Sequence, residues 1–481
     1  MSIKKNLAYN ILLSVSNIIF PIITFPYVSR VLGPEGTGLT NFVLSFCQYF
    51  ILLSALGISI YGVREIAKTK DNIEGRSKVF IELFLIRLLT TIIVLVPYFI
   101  TILYFDKFSS HNALYLWGGL YIFFNLFSIE WFFTGMENFK YITSRSIIIK
   151  FISIGALFLF VKEKSDVLPY FLITVFGLIF NSFVNIRYSL KYLKLNISYK
   201  ELYYKPHVRP MLVIFGSTVA ISVYVLMDTI LLGLLADEKA VGYYSAALKL
   251  NKLSLTIITS LGAVLVPRLS NAVAKNDQAE IKRLIGQSFN FVYTLGIPIM
   301  VGIFALAPEL TLVFSGKEFL PSVLAMRILC PITLIIGLSN IFGIQILTPL
   351  SKDRQLLFSV LSGTIISLLL NFILIPLFHE NGAAITNLIA ETVVTVLTFY
   401  FARKYLTFEL NLKAFTQNVL SALPIFLLAE AAKLIFSQPF YVLVATLIGS
   451  MVLFGATQLY IIKNQIAIDF FLTLKSKLNY A

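Results

Sequence analysis

Long apolar runs, separated by short turn-forming or charged stretches, dominate the chain. Runs of about 20 residues, the length a helix needs to cross a bilayer, fall at 8–29, 37–63, 79–104, 113–134, 144–161, 167–188, 210–235, 241–266, 285–306, 321–347, 355–377, 382–402, 416–435 and 439–462. The pattern predicts an all-α, polytopic membrane protein with about 14 transmembrane helices. The first run follows a basic start, is too long for a signal peptide and lacks a small-residue cleavage site, so it reads as the first span. The composition agrees. Hydrophobic residues make up 58% and charged residues 13%, about half the charged fraction of a soluble protein.

The polar intervals set an orientation. Most of the 39 Lys and Arg residues lie at the two ends or in connections after even-numbered spans. The odd-numbered connections hold about six, Arg30 included. Cytoplasmic loops carry the basic excess, so both termini are expected in the cytoplasm and the protein in the plasma (cytoplasmic or inner) membrane. The net charge of +15 is therefore an orientation signal and does not indicate nucleic acid. Outer connections are very short. Of the longer inner ones, 191–209 reads as a cytoplasmic linker and 268–283 as a short amphipathic helix on the membrane surface.

Two halves share a register. RVLGPEGTG leads into span 2, which ends LGISIYGVREIAK, while LLGLLADEKAVG leads into span 8, which ends LGAVLVPRLSNAVAK. Gly38 matches Gly242, Gly57 nearly matches Gly262, and Arg64 matches Arg268. Parallel six-span repeats are a recurrent transporter plan, with the substrate path between the halves. The expected organisation is an N-terminal six-helix bundle at 1–190, the linker at 191–209, a C-terminal six-helix bundle at 210–404, and helices 13–14 with a cytoplasmic tail at 405–481.

Candidate chemistry lies in charges within the apolar runs, because a charge in hydrocarbon is costly and should face the protein interior, a cavity or a partner. They are Arg87 in span 3, Asp228 in span 7, Lys249 and Lys252 in span 8, Arg327 in span 10 and Glu391 in span 12. Asp228 and Lys249 lie at similar depth, which allows an ion pair; the other reading has Lys249 or Lys252 contacting substrate with Asp228 tuning it. In FPYVSRVLGPEGTG (25–38), Pro34 and Gly36 are expected to make the outer turn between spans 1 and 2. Arg30 either snorkels to outer headgroups or faces a water-filled cavity and meets an anion. Arg64 and Glu65 stand at the inner end of span 2. Glu430 and Lys433 have the spacing of a structural pair, and Glu82 and Glu130, near span ends, are open. The internal charges lean cationic, which favours an anionic group such as phosphate. The substrate-binding candidates are Arg30, Arg64, Arg87, Asp228, Lys249, Lys252 and Arg327, and the coupling candidates are Asp228 and Glu391. Asn17, Asn41 and Gln48 either line the same path or bond between helices. Cys47 and Cys330 read as packing residues, and His111, His207 and His379 are isolated. There is no metal-ligand spacing, no cofactor motif and no nucleophile–base arrangement in the sequence.

FPYVSRVLGPEGTG followed by LGISIYGVREIAK (56–68) resembles the start of the Wzx-type polysaccharide flippases, within the multidrug/oligosaccharidyl-lipid/polysaccharide exporter superfamily. FSGKEFLPSVLAMRIL (314–329) and LLNFILIPLFHENGAAITNLIAE (369–391) are similar to the corresponding family segments, and the resemblance runs through span 12. It implies two six-helix bundles forming a V around a central cavity, plus helices 13–14. It also implies a cargo of undecaprenyl-pyrophosphate-linked oligosaccharide repeat units, moved from the cytoplasmic to the outer leaflet by alternating access. The family's motif arginine falls on Arg30 and its REIAK-type arginine on Arg64. Arginines that lipid II flippases carry in the first two helices are polar residues here, so those roles do not transfer. Membrane lipids, polysaccharide polymerase machinery and a coupling proton or sodium are further candidate partners. Three other readings stay open: a cation-coupled drug exporter using Asp228 and Glu391, a membrane polysaccharide polymerase or ligase, for which the outer loops offer little room, and a membrane scaffold.

Overall fold

Hydrocarbon offers no water to backbone N–H and C=O groups, so a spanning chain must pair them within itself. In the computed structural model, which describes residues 3–194, 196–197, 199–464 and 468, that pairing is helical, and no β-strand occurs among the described residues. The helices are α1 (Ile3–Ala55), α2 (Ile58–Lys68), α3 (Ile73–Tyr104), α4 (Asn112–Asn125), α5 (Glu130–Gly135), α6 (Phe139–Phe160), α7 (Val167–Ser189), α8 (Lys205–Leu235), α9 (Glu238–Ala274), α10 (Gln278–Phe314), α11 (Ser322–Leu329), α12 (Ile332–Asn340), α13 (Asp353–Tyr405), α14 (Leu412–Ile435) and α15 (Pro439–Ala456). Among the described residues, ten helical stretches are long and apolar enough to cross a membrane.

Helices α1 and α13 each run for 53 residues, which is about 80 Å at 1.5 Å per residue against a hydrocarbon core of about 30 Å. Each is broken once. In α1 the break is Gly33, at φ 70° and ψ −176°, a left-handed backbone that glycine adopts without a Cβ clash. This corrects the expected turn: Gly33 carries it, Pro34 opens the next helical stretch, and Gly36 is helical. In α13 the break is His379, at φ 49°. The run 37–63 breaks again at Leu56 and Gly57, both with positive φ, and 113–134 divides into α4 and α5. The expected surface helix at 268–283 is absent. Residues 268–274 complete α9 and 278–283 begin α10, with Asp277 capping the new helix by accepting from Glu280 N–H at 3.0 Å.

The chain packs as two compact units, Met1–Gly242 and Tyr243–Ala481. In the first, Phe80, Trp131, Phe132 and Phe133 form an aromatic core with Ile58 and Ile66. The turn before α7 is closed by Asp166, which accepts from the backbone N–H groups of Lys162 (2.8 Å) and Glu163 (3.0 Å); these bonds hold its carboxyl below the usual range. The repeat-related glycines meet. A Cβ on Gly38 would lie 1.7 Å from Glu238 O, and one on Gly242 would lie 2.1 Å from Pro34 O, so two backbones touch there without side chains between them. At the other end of the unit, His207 ties α8 to α2 and α3. Its Nδ1 is 2.8 Å from the Tyr61 hydroxyl and its Nε2 is 2.8 Å from Glu82 Oε2, while Glu82 Oε1 accepts from Tyr203 N–H at 2.6 Å. Glu82, left open by the sequence, and His207, read there as isolated, are thus members of one buried clamp.

In the second unit, Phe289, Phe342 and Phe408 centre the core. An amide network docks α14 and α15 on α10: Gln458 Nε2 donates to Asn418 Oδ1 (2.9 Å), and Asn464 Nδ2 donates to Thr294 Oγ1 (2.7 Å) and Gln458 Oε1 (2.8 Å).

Two outcomes are expected. Gly38→Ala and Gly242→Ala should each destabilise the purified protein by about 1–3 kcal/mol through overpacking, whereas Gly155→Ala, where a Cβ meets nothing within 4 Å, should not; thermal unfolding in detergent measures both. His207→Phe strands the Tyr61 hydroxyl and one Glu82 oxygen, at a cost of about 1–3 kcal/mol per buried group. Unchanged melting of that variant would remove the clamp from the account.

Candidate functional site

Each cation inside the helices must find acceptors, and those it finds decide what it can do. Arg87, on α3, is buried. It donates from Nη1 to Ser128 O (3.1 Å) and from Nη2 to Asn125 Oδ1 (2.9 Å). Residues 126–129 are where α4 gives way to α5, so carbonyls there lose their helical donors, and the guanidinium replaces one of them. Arg145, on α6, does similar work. It donates to Glu130 Oε1 at 2.7 Å and to Asn185 Oδ1, and its guanidinium lies 5.3 Å from the Tyr141 ring centre. Glu130, open at the sequence level, is thereby ion-paired. Arg145 was not among the sequence candidates; its signal is the four-residue spacing from Tyr141, which is too common to single it out.

The other first-unit candidates lie apart from these. Arg30 is exposed in the last turn before Gly33, with Nη1 3.4 Å from Pro26 O. Arg64 is exposed on α2, bonded through Nε to Glu65 Oε1 (3.1 Å) and 5.2 Å from the Tyr61 ring centre, and Lys68 shares that carboxylate at 2.9 Å. Asp228 is buried on α8. One more cation enters from the structure. Lys150, eleven residues into the 22-residue α6, donates to Ser16 Oγ (2.9 Å) and Asn17 Oδ1 (2.5 Å) on α1. In the sequence it follows Lys140 and Arg145 closely enough to blend with the inner basic flank.

In the second unit, Lys249 and Lys252 stand three residues apart on α9, the first half-buried and the second exposed. Their spacing puts both ammonium groups on one helix face. Arg327, on α11, donates from Nε to Phe304 O (3.2 Å) and lies 5.3 Å from that ring's centre. Glu391 is half-buried on α13. The pair read as structural is found: Lys433 donates to Glu430 Oε1 at 2.8 Å and to Ala305 O at 3.1 Å, with Glu309 at 3.8 Å. Chemically, Arg87, Arg145 and Lys433 are engaged in packing. Arg30, Lys150, Lys249 and Lys252 present charge at exposed or half-buried positions, which suits them to meet an anion.

Comparisons with known proteins agree with this architecture. The profile of the polysaccharide biosynthesis protein family matches residues 3–273, more than half of the chain, and the MatE profile matches residues 214–375. A candidate O-antigen transporter of Escherichia coli (strain K12) is 28% identical over 421 residues, covering 84% of this chain and 97% of that protein. Among solved structures, the lipid II flippase MurJ in an inward closed conformation superposes with a TM-score of 0.76 at 16% identity, over 94% of this chain and 98% of that one. An inward-facing multidrug resistance MATE family transporter of the MOP superfamily superposes at 0.60 with 13% identity, over 80% and 94%. These two share the all-helical polytopic fold. On the family match over residues 3–273, the chain belongs to the polysaccharide biosynthesis protein family, as a multi-pass membrane protein of transporter type and not an enzyme.

Proposed function

We propose that the chain flips undecaprenyl-pyrophosphate-linked oligosaccharide repeat units from the cytoplasmic to the outer leaflet of the plasma membrane, by alternating access, during polysaccharide biosynthesis. The observation that carries this reading is the likeness to the candidate O-antigen transporter over 97% of that protein's length, which leaves no large part of the relative without a counterpart.

The physics of the task fits the residues. A polyprenyl tail is at home in the bilayer, whereas a diphosphate and its sugars are excluded from hydrocarbon. Cations exposed within spanning helices lower that barrier by offering charge where lipid offers none. In this reading Lys249, Lys252, Arg327, Arg30 and Arg64 serve the anionic headgroup, and Asp228 and Glu391 are candidates for coupling to a proton or sodium. Arg87 contributes by holding the α4–α5 break in shape. In this reading α1 and α13 count as two spans each and α8 and α9 as one each beside the other long apolar stretches, for fourteen spans with both termini cytoplasmic. Six-helix halves at 1–190 and 210–404 are then joined by 191–209, with helices 13–14 following.

In a strain lacking the chain, lipid-linked repeat units should accumulate on the cytoplasmic leaflet and surface polymer should be lost. Single repeat units building up on the outer leaflet would point to a polymerase, and unchanged lipid-linked sugars and polymer to drug export. Complementation with Lys249→Gln or Lys252→Gln should lower surface polymer at least tenfold at normal membrane abundance, and normal polymer in both would remove these lysines from the site. Arg87→Gln should instead lower the amount of folded protein, because it strands Ser128 O and Asn125 at about 1–3 kcal/mol per buried group.

A further inference from the structure

Within its first unit the protein carries a groove at mid-membrane depth that none of the charged sequence candidates occupies, although Asn17, one of the polar candidates, lines it. Helix α1 shows two different exposed faces. Ile11, Leu12, Val15, Ile19, Ile22 and Ile23 form one of them, as expected for contact with lipid. Asn10, Ser14 and Asn17 are exposed as well. Spaced i, i+4 and i+7, they form a separate stripe that Pro21 continues. At 3.6 residues per turn the centres of the two faces are roughly 150° apart. A stripe of amides and a hydroxyl turned to hydrocarbon would leave polar groups unpaired, at a cost of several kcal/mol. The stripe therefore faces water or a polar ligand.

Lys150 reaches this stripe from α6. It lies about 16 Å from either end of its helix at 1.5 Å per residue, and its ammonium sits 5.2 Å from the Phe20 ring centre besides its bonds to Ser16 and Asn17. Both acceptors are neutral. No carboxylate lies within 4.0 Å of Lys150 among the described residues, in contrast to Arg145 and Lys433. An ammonium has three N–H donors; two are used here, so one donor and the whole charge are left for a ligand. A cavity of about 340 Å³ adjoins them; Asn17, Thr24, Lys150 and Ser153 give it a polar side, and Phe20, Pro21, Ile154 and Leu157 an apolar one. An apolar occupant would leave the charge uncompensated and a cationic one would be repelled.

We propose that Lys150, braced by Ser16 and Asn17, binds the diphosphate of a polyprenyl-linked headgroup in this groove. The assignment rests on the flippase reading and adds a further residue, in the first unit, that contacts the phosphate. Phe20 and Pro21 wall the site on the α1 side, and the stripe towards Asn10 extends it along the helix.

The test is binding of undecaprenyl pyrophosphate and of undecaprenol to the full-length protein in lipid nanodiscs. The native chain should bind the diphosphate lipid more tightly than the alcohol. Lys150→Met should weaken diphosphate binding at least tenfold and leave the alcohol unchanged, while Lys150→Arg should stay within about threefold of native. Asn17→Asp keeps the lysine but puts a carboxylate against it, and should weaken diphosphate binding as strongly as Lys150→Met. Because Lys150→Arg and Asn17→Asp preserve side-chain size and polarity, they decide the matter if Lys150→Met does not fold. Native affinity for the diphosphate lipid in Lys150→Met or Asn17→Asp would overturn the Lys150 site and leave the flippase reading standing. Equal binding of both lipids by the native chain would overturn the site and the proposed cargo together.

Discussion

A charge inside hydrocarbon is costly unless the protein compensates it, and most of the internal detail of this chain follows from how each cation is compensated. Arg87 takes the carbonyl and amide oxygens exposed where α4 breaks. Arg145 takes a carboxylate and an amide. Lys433 takes two carboxylates and a carbonyl. In these three, positive charge serves packing, since truncating one partner of a buried polar contact leaves the other stranded. Lys150 differs from Arg145 and Lys433 in having only neutral partners, and from the buried Arg87 in standing half-buried beside a cavity. Acceptors and exposure together, more than residue type, separate cations that hold the fold from those available to a ligand.

The same requirement governs the backbone. A helical run that turns back across the bilayer must break, and a break frees N–H and C=O groups that need new partners. Gly33 turns without a side-chain penalty, whereas the α4–α5 break depends on Arg87 and the start of α10 on Asp277. Close backbone contact at Gly38 and Gly242 supplies dispersion that lipid-exposed leucines cannot, because lipid tails are as apolar as leucine itself. Amide networks then fix the helices that apolar contact alone would leave free to slide, as Gln458 and Asn464 do for α14 and α15.

Much of the fold was legible in the sequence, because a bilayer imposes one dominant period and length on any segment that crosses it. The apolar runs, the helical class, the division near Gly33 and near His379, and the Glu430–Lys433 pair could all be read from residue order. Segments at the ends of runs were less legible. The surface helix expected at 268–283 is the joined ends of α9 and α10, since polar residues at a helix end look the same whether the helix continues or stops. Lys150 escaped notice for a related reason: hydropathy averages over a window and absorbs one lysine close to a basic flank.

What the sequence determined by itself was therefore membership of the membrane class, the positions of the apolar runs and the inventory of charges within them. Those depend on local composition, which no later folding step can change. Only the tertiary structure decided which acceptor each charge meets. Arg87 and Lys150 look alike in the sequence, each a basic residue within an apolar run. Residues 38 and 41 positions away bring Arg87 its acceptors, and residues 134 and 133 positions away bring Lys150 neutral oxygens beside a cavity. Long-range packing makes those encounters, and the energy of a charge is set by its neighbours in space, not in sequence.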